Sequence, residues 1–248
     1  MIYDERRTIS KEKELVLNSK LNYEFVQDRF RPLERFRNVE FTRDWNVNPA
    51  EKPQNEHLGT VSFSFEKQAF SADKSQAKLG YQLGTYLRGT TFKGFQHLLN
   101  LAYSKHGYRV LGRGDWIQQE GLLSKGNFFL PYIELEKQFS KFQNLAVGSR
   151  YLVEHNALKS SDADTLLKSA FSFDALTLYV KNSLSAPNSF NAEYTLRRDR
   201  AAKDNEFRQS TLGNTFALNA NITSIKNQEI KITGAYRILK ITDSTLTA

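Results

Sequence analysis

The sequence contains no cysteine, which excludes disulfides and thiolate metal sites outright. It also lacks an apolar run long enough for a membrane-crossing helix: the densest stretch, Phe128–Ile133, is strand-length and holds Pro131. The first residues, Met1–Arg7, are charged and lead into no apolar segment, so no secretory leader is read there. None of this excludes membrane-crossing strands, which need only alternate over about 9–11 residues. No P-loop, dinucleotide fingerprint or nucleophile elbow occurs. The four histidines, His57, His97, His106 and His155, have no ligand-like spacing, and Asp162-Ala163-Asp164 lacks the glycine and distal glutamate of a calcium loop. No catalytic residue, metal or cofactor is therefore expected.

What is present is alternation. Phe190, Ala192, Tyr194 and Leu196 fall on one face of a strand, with Asn191, Glu193, Thr195 and Arg197 on the other. Phe216 to Ile222 and Ile230 to Ile238 repeat the pattern, as do the runs from Glu14, Gly59, Ala77 and Leu145. A period of two puts successive side chains on opposite faces of a strand. Phe92 to Ser104 fits both helical and strand spacing and is assigned as a strand because its neighbours are strands. Further strands are expected at Val39–Val47, Phe128–Phe139 (edge or bulged, because of Pro131), Thr165–Phe173 and Leu176–Asn182. Tyr108–Leu123, broken by Gly112, Gly114 and Gly121, is read as a bulged strand or an irregular loop. Loops are expected at His155–Asp164 and Arg198–Ser210, and turns at Lys105–Gly107 and Ser224–Gln228. Residues 1–13 are read as a terminal arm or the end of an earlier element.

The sum is one all-β domain over residues 1–248, an antiparallel up-and-down meander of about twelve long strands. Strands this long favour an outer-membrane-type β-barrel or barrel segment, with an extended soluble β-sheet scaffold as the alternative. Tyr23, Phe25, Tyr103, Tyr108, Tyr151, Tyr179 and Phe190 suit interfacial girdles in the first case and ordinary cross-strand packing in the second.

Two stretches carry a resemblance. Asn227–Thr247, NQEIKITGAYRILKITDSTLT, and Phe36–Val47, FRNVEFTRDWNV, together with the texture of Leu176–Arg198, resemble segments of the large β-strand-rich envelope proteins of Bacteroidota. The resemblance implies that the chain is an internal piece of a much longer protein placed in the outer membrane or at the cell surface. It implies no particular active-site residue.

The formal charge of +8 comes from basic residues spread through the alternating strands, with no basic helix or nucleic-acid module, so nucleic acid is not an expected partner. Lys20, Arg88, Arg150, Arg197, Lys231 and Arg237 fall on polar faces of separate strands. In a barrel they would line the interior and favour an anionic solute or glycan; in a scaffold they would be solvated or paired across strands. The expected function is non-catalytic, a structural or transport role in the envelope. A surface-displayed binding scaffold is the alternative, and an envelope hydrolase, unsupported by any motif, is the third reading. Membrane lipid and the rest of a longer chain, or a neighbouring subunit, are the expected partners.

Overall fold

The computed structural model describes residues 1–10, 15–29, 45, 54–67, 75–139, 145–182, 188–222 and 230–242. Twelve strands follow one another in sequence and in space: β1 (Ile2–Ser10), β2 (Leu15–Val26), β3 (Glu56–Lys67), β4 (Gln76–Arg88), β5 (Phe92–Lys105), β6 (Tyr108–Gly121), β7 (Ser124–Phe139), β8 (Leu145–Ser160), β9 (Phe171–Lys181), β10 (Asn188–Lys203), β11 (Glu206–Ile222) and β12 (Ile230–Ile241). Each pairs antiparallel with the next in a single sheet. The sheet is not closed: among the described residues β1 pairs only with β2, and β12 only with β11.

Local chemistry explains the tight joins. His106 and Gly107 both have positive φ, as do Asp204 and Asn205, and these are the only residues between β5 and β6 and between β10 and β11. A two-residue hairpin turn with both φ positive matches the twist of the strands it joins, and Gly, Asn and Asp are the residues that tolerate it.

The structure corrects several expectations. Arg198–Ser210 is no loop: β10 continues to Lys203 and β11 starts at Glu206. Its charges are satisfied across strands, with Arg198 and Arg200 both reaching Asp174, at 2.7 and 2.6 Å. His155–Asp164 belongs to β8 as far as Ser160, because β7 supplies ladder partners such as Phe129 for His155 and Asn127 for Ala157. The strand expected at Thr165–Phe173 begins only at Phe171, leaving Leu166 in an isolated bridge to Lys159. Tyr108–Leu123 is a regular strand to Gly121, without a bulge against either neighbour. Pro131 lies in an interior strand, and the β7–β8 register is the same on both sides of it. Ile2–Ser10, within the stretch read as an arm, forms the edge strand β1. The strand expected at Val39–Val47, apart from Trp45, and the turn at Ser224–Gln228 lie outside the described residues.

The enclosed core is small and lies on the polar face at one end of β4–β6. Trp45, Tyr86, Phe92 and Ile117 form it, with Leu58 and Phe128 packed alongside. Tyr86 stands 5.7 Å from Trp45 and 5.4 Å from Phe92, both tilted, a favourable aromatic geometry. Trp45 fits because Gly94 has no side chain: a Cβ there would come within 2.7 Å of the indole and 3.2 Å of Phe92. Gly94→Val is therefore expected to destabilise the protein by about 1–3 kcal/mol through overpacking. Urea unfolding followed by circular dichroism checks this, and an unchanged midpoint would refute the socket.

Candidate functional site

The pairing register divides the sheet into two faces. One transverse row runs Leu17, Phe65, Leu79, Leu101, Gly112, Ile133, Tyr151, Leu176, Leu196, Asn214 and Ile238, partner by partner from β2 to β12. It is apolar but for Asn214. Most of its large side chains are exposed among the described residues, Leu101 at 41% and Ile133 at 43% among them. Similar rows above and below make this an extended apolar face, far larger than the patches of a few hundred Å² that soluble monomers usually expose.

The boundary of that face runs obliquely to the rows. Toward the hairpin at Leu122, the first charge is eight residues from the row on β5 (Leu101 to Lys93), β6 (Gly112 to Glu120) and β7 (Ile133 to Lys125), but two on β9 (Leu176 to Asp174), β10 (Leu196 to Arg198) and β12 (Ile238 to Lys240). On the opposite side it is two residues away on β3 (Phe65 to Lys67) and four on β5 and β7 (Lys105 and Lys137). On β11 and β12 no charge appears on this face for eight residues, out to Ile222 and Ile230. Toward Leu122 the distance is again eight on β8 (Tyr151 to Lys159) and is six on β11 (Asn214 to Arg208). On that side the charge-free stretch therefore shortens from eight residues on β5–β8 to between two and six on β9–β12, while on the opposite side it lengthens from two on β3 to eight on β11 and β12: the apolar band shifts obliquely across the sheet.

Polar tips on the apolar face are satisfied by neighbouring strands. Tyr23 Oη lies 2.7 Å from His57 Nδ1, Tyr81 Oη lies 2.8 Å from His97 Nδ1, and Trp116 Nε1 donates to Asn127 at 2.7 Å. Lys93, Glu120 and Lys125 form an ion-paired rim beyond Trp116. Six of the seven expected girdle residues lie on this face. Tyr179 does not: strand parity sets it with Thr177 on the polar face, where it is 4% exposed.

On the polar face of β7–β11 the charges hold one another. Glu134 accepts from Tyr132, from Arg150 Nε at 3.2 Å and from Tyr179 at 3.2 Å. Tyr179 also donates to Glu136 at 2.9 Å, and Lys181 pairs with Glu136 at 2.7 Å. The Tyr179 ring occupies the space left by Gly148, its ladder partner. Beside it Thr177 and Thr195 hydrogen-bond at 2.9 Å. Arg197 binds Asp199 at 2.7 Å and lies 3.8 Å over the Phe173 ring, while Thr211 donates to Asp199.

The six basic candidates all lie on the polar face, but they form no common site. Arg88 is 5% exposed beside Glu56. Arg150 and Arg197 belong to the braced network just described. Lys231 and Arg237 are exposed on the edge strand β12, and Lys20 is exposed on β2. Sequence reasoning missed Glu134, Glu136 and Tyr179, which meet only through the β7–β8–β9 register. Among the described residues no group of three or more His, Asp or Glu is placed to hold a metal ion. No family model matches this chain, and neither does any curated protein or solved structure.

Proposed function

We propose that this sheet is the wall of an outer-membrane-type β-barrel, its apolar face against lipid and its polar face toward a water-filled interior, with a structural or transport role. The inclined apolar band carries the reading. Strands that cross a bilayer at a tilt must shift their lipid-facing residues steadily from one strand to the next, whereas a sheet in water has no cause to keep such a band. The Tyr23–His57 pair, which reaches the row of Lys93, and the ion-paired rim at the band's margin fit the water interface.

The register also bears on closure. Walking the ladder from Arg237 on β12 through Thr215, Thr195, Thr177, Arg150, Glu134, Leu111, Ala102, Lys78, Glu66 and Val16 arrives at Thr8 on β1. With strands about 4.8 Å apart rising about 3.3 Å per residue, a twelve-strand barrel tilted by about 35–45° offsets its closing strands by about 12–17 residues. β1 has 9 residues and β12 has 12, so such an offset leaves almost no overlap between them. A ring of copies repeats the same offset at every junction. The described parts of β1 and β12 therefore do not by themselves close the wall.

A second reading, a surface-displayed scaffold binding a partner along an edge, is favoured by β1, whose residues on the apolar side are Tyr3, Glu5 and Arg7. One experiment separates the two. Expressed in a Gram-negative host with the flanking sequence of its gene, the protein is expected to stay with the envelope through carbonate washing, to need detergent for extraction and to show heat-dependent gel mobility. A clean monomer in detergent-free buffer would reject the wall in favour of the scaffold.

A further inference from the structure

The polar face is not uniform. Where β7–β11 is filled by paired charges, β2–β5 opens into a basin of about 450 Å³ over Gly80, within the usual range for small-molecule sites. Ser62, Gln82, Asn100 and Lys20 line it, and among the described residues their side chains have no partner. Asn18 donates to Ser64 at 3.2 Å at its margin. Gly80 keeps the floor low: a Cβ there would meet nothing closer than 3.8 Å, so the glycine answers to no packing demand.

We propose that this basin is a binding site for a neutral saccharide. Carboxamides and hydroxyls each offer both donor and acceptor capacity, the set that matches neighbouring sugar hydroxyls, which also donate and accept. An anion would call for several free cations or an arginine fork. Here Lys78 is held by Glu66 at 2.5 Å, which leaves Lys20 as the one unpaired cation among the described lining residues, and the Asp4 carboxylate lines the same basin. The basin's physiological setting, the interior of an envelope wall, rests on the function proposed above; its binding chemistry does not.

The test is a calorimetric titration of the folded protein in detergent micelles with maltotriose, alongside sulfated maltotriose. Saturable binding of the neutral sugar is expected, weakened about tenfold or more by Gln82→Ala with Asn100→Ala, which removes two hydrogen-bonding groups. Gly80→Val suits a strand and its Cβ meets nothing closer than 3.8 Å, so it should fold normally, as circular dichroism checks, and lose binding because its methyls project into the basin. The proposal is overturned if maltotriose does not bind, if it binds the variants as tightly as the original protein, or if the sulfated sugar binds more tightly. Since the titration requires a folded chain and no bilayer, a failure here leaves the membrane wall standing. Failure of the fractionation test would likewise leave this site intact.

Discussion

Leu99→Arg is expected to cost about 2–4 kcal/mol of folding stability in a bilayer, and Leu212→Arg only about 0–1 kcal/mol. The contrast is large because the two positions share a face and differ in depth. Both lie on the apolar face, two residues to the same side of the reference row: Leu99 below Leu101, Leu212 below Asn214. On β5, Leu99 is six residues from Lys93 and six from Lys105, the centre of the band. Leu212 has Arg198 and Lys240 as its two ladder partners, already at the band's margin. A guanidinium at the centre must be taken into hydrocarbon or drag water with it, whereas one at the margin reaches the headgroups. In water Leu99→Arg buries no charge and should fall within about 0.5 kcal/mol of zero, while Leu212→Arg, set between Arg198 and Lys240, should cost up to about 1 kcal/mol. The measurement is urea unfolding from lipid vesicles followed by the fluorescence of the two tryptophans, Trp45 and Trp116. Equal, small costs would reject both the bilayer and the tilt. Equal, large costs would keep the bilayer and reject the inclined boundary.

The all-β class and the meander were legible because most strands are one-sided over their whole length, so a period of two survives in β2, β4 and β10–β12 without any tertiary information. The errors share one cause. Arg198–Ser210 and His155–Ser160 look like loops because charge and polarity usually mark solvent-exposed connections, but here Asp174 on β9, the strand between β8 and β10, neutralises Arg198 and Arg200. Pro131 suggests an edge because it lacks an N–H, yet one missing donor in a long strand leaves the register on either side intact. Tyr179 is the instructive case. Its parity with Thr177 assigns the correct face, and reading residue type ahead of parity sent it to the girdle. The Glu134 network could not be read at all, since Glu134 and Tyr179 are 45 residues apart and meet only once the β7–β8–β9 register is known. The glycines held half of this information. Gly148 and Gly94 interrupt the alternation where a ring from elsewhere needs the space, but the sequence does not say which ring.

Glu134→Ala is expected to destabilise the protein by about 3 kcal/mol, at the low end for a broken buried ion pair because Arg150 keeps 40% of its side chain in solvent. Glu134 itself is 5% exposed and accepts three hydrogen bonds. Truncating it strands the Tyr132 hydroxyl, takes the weaker of two acceptors from Tyr179 and leaves the Arg150 guanidinium 5.9 Å over the Tyr179 ring without its carboxylate. Tyr179 retains Glu136, so the damage should concentrate on β7 and β8. Two companions separate charge from packing. Glu134→Gln keeps an acceptor in place and should recover part of the loss, since a neutral hydrogen bond is worth roughly half of one to an ionised group. Glu134→Leu with Arg150→Met removes both charges and should be less destabilising than Glu134→Leu alone, because no unpaired cation remains. If the double variant is as unstable as the sum of its parts, the pair is not coupled, and Glu134 serves only to fill space. A coupling of about 1 kcal/mol or more instead makes this network a brace across β7–β9, holding that half of the polar face closed while the basin over Gly80 stays open.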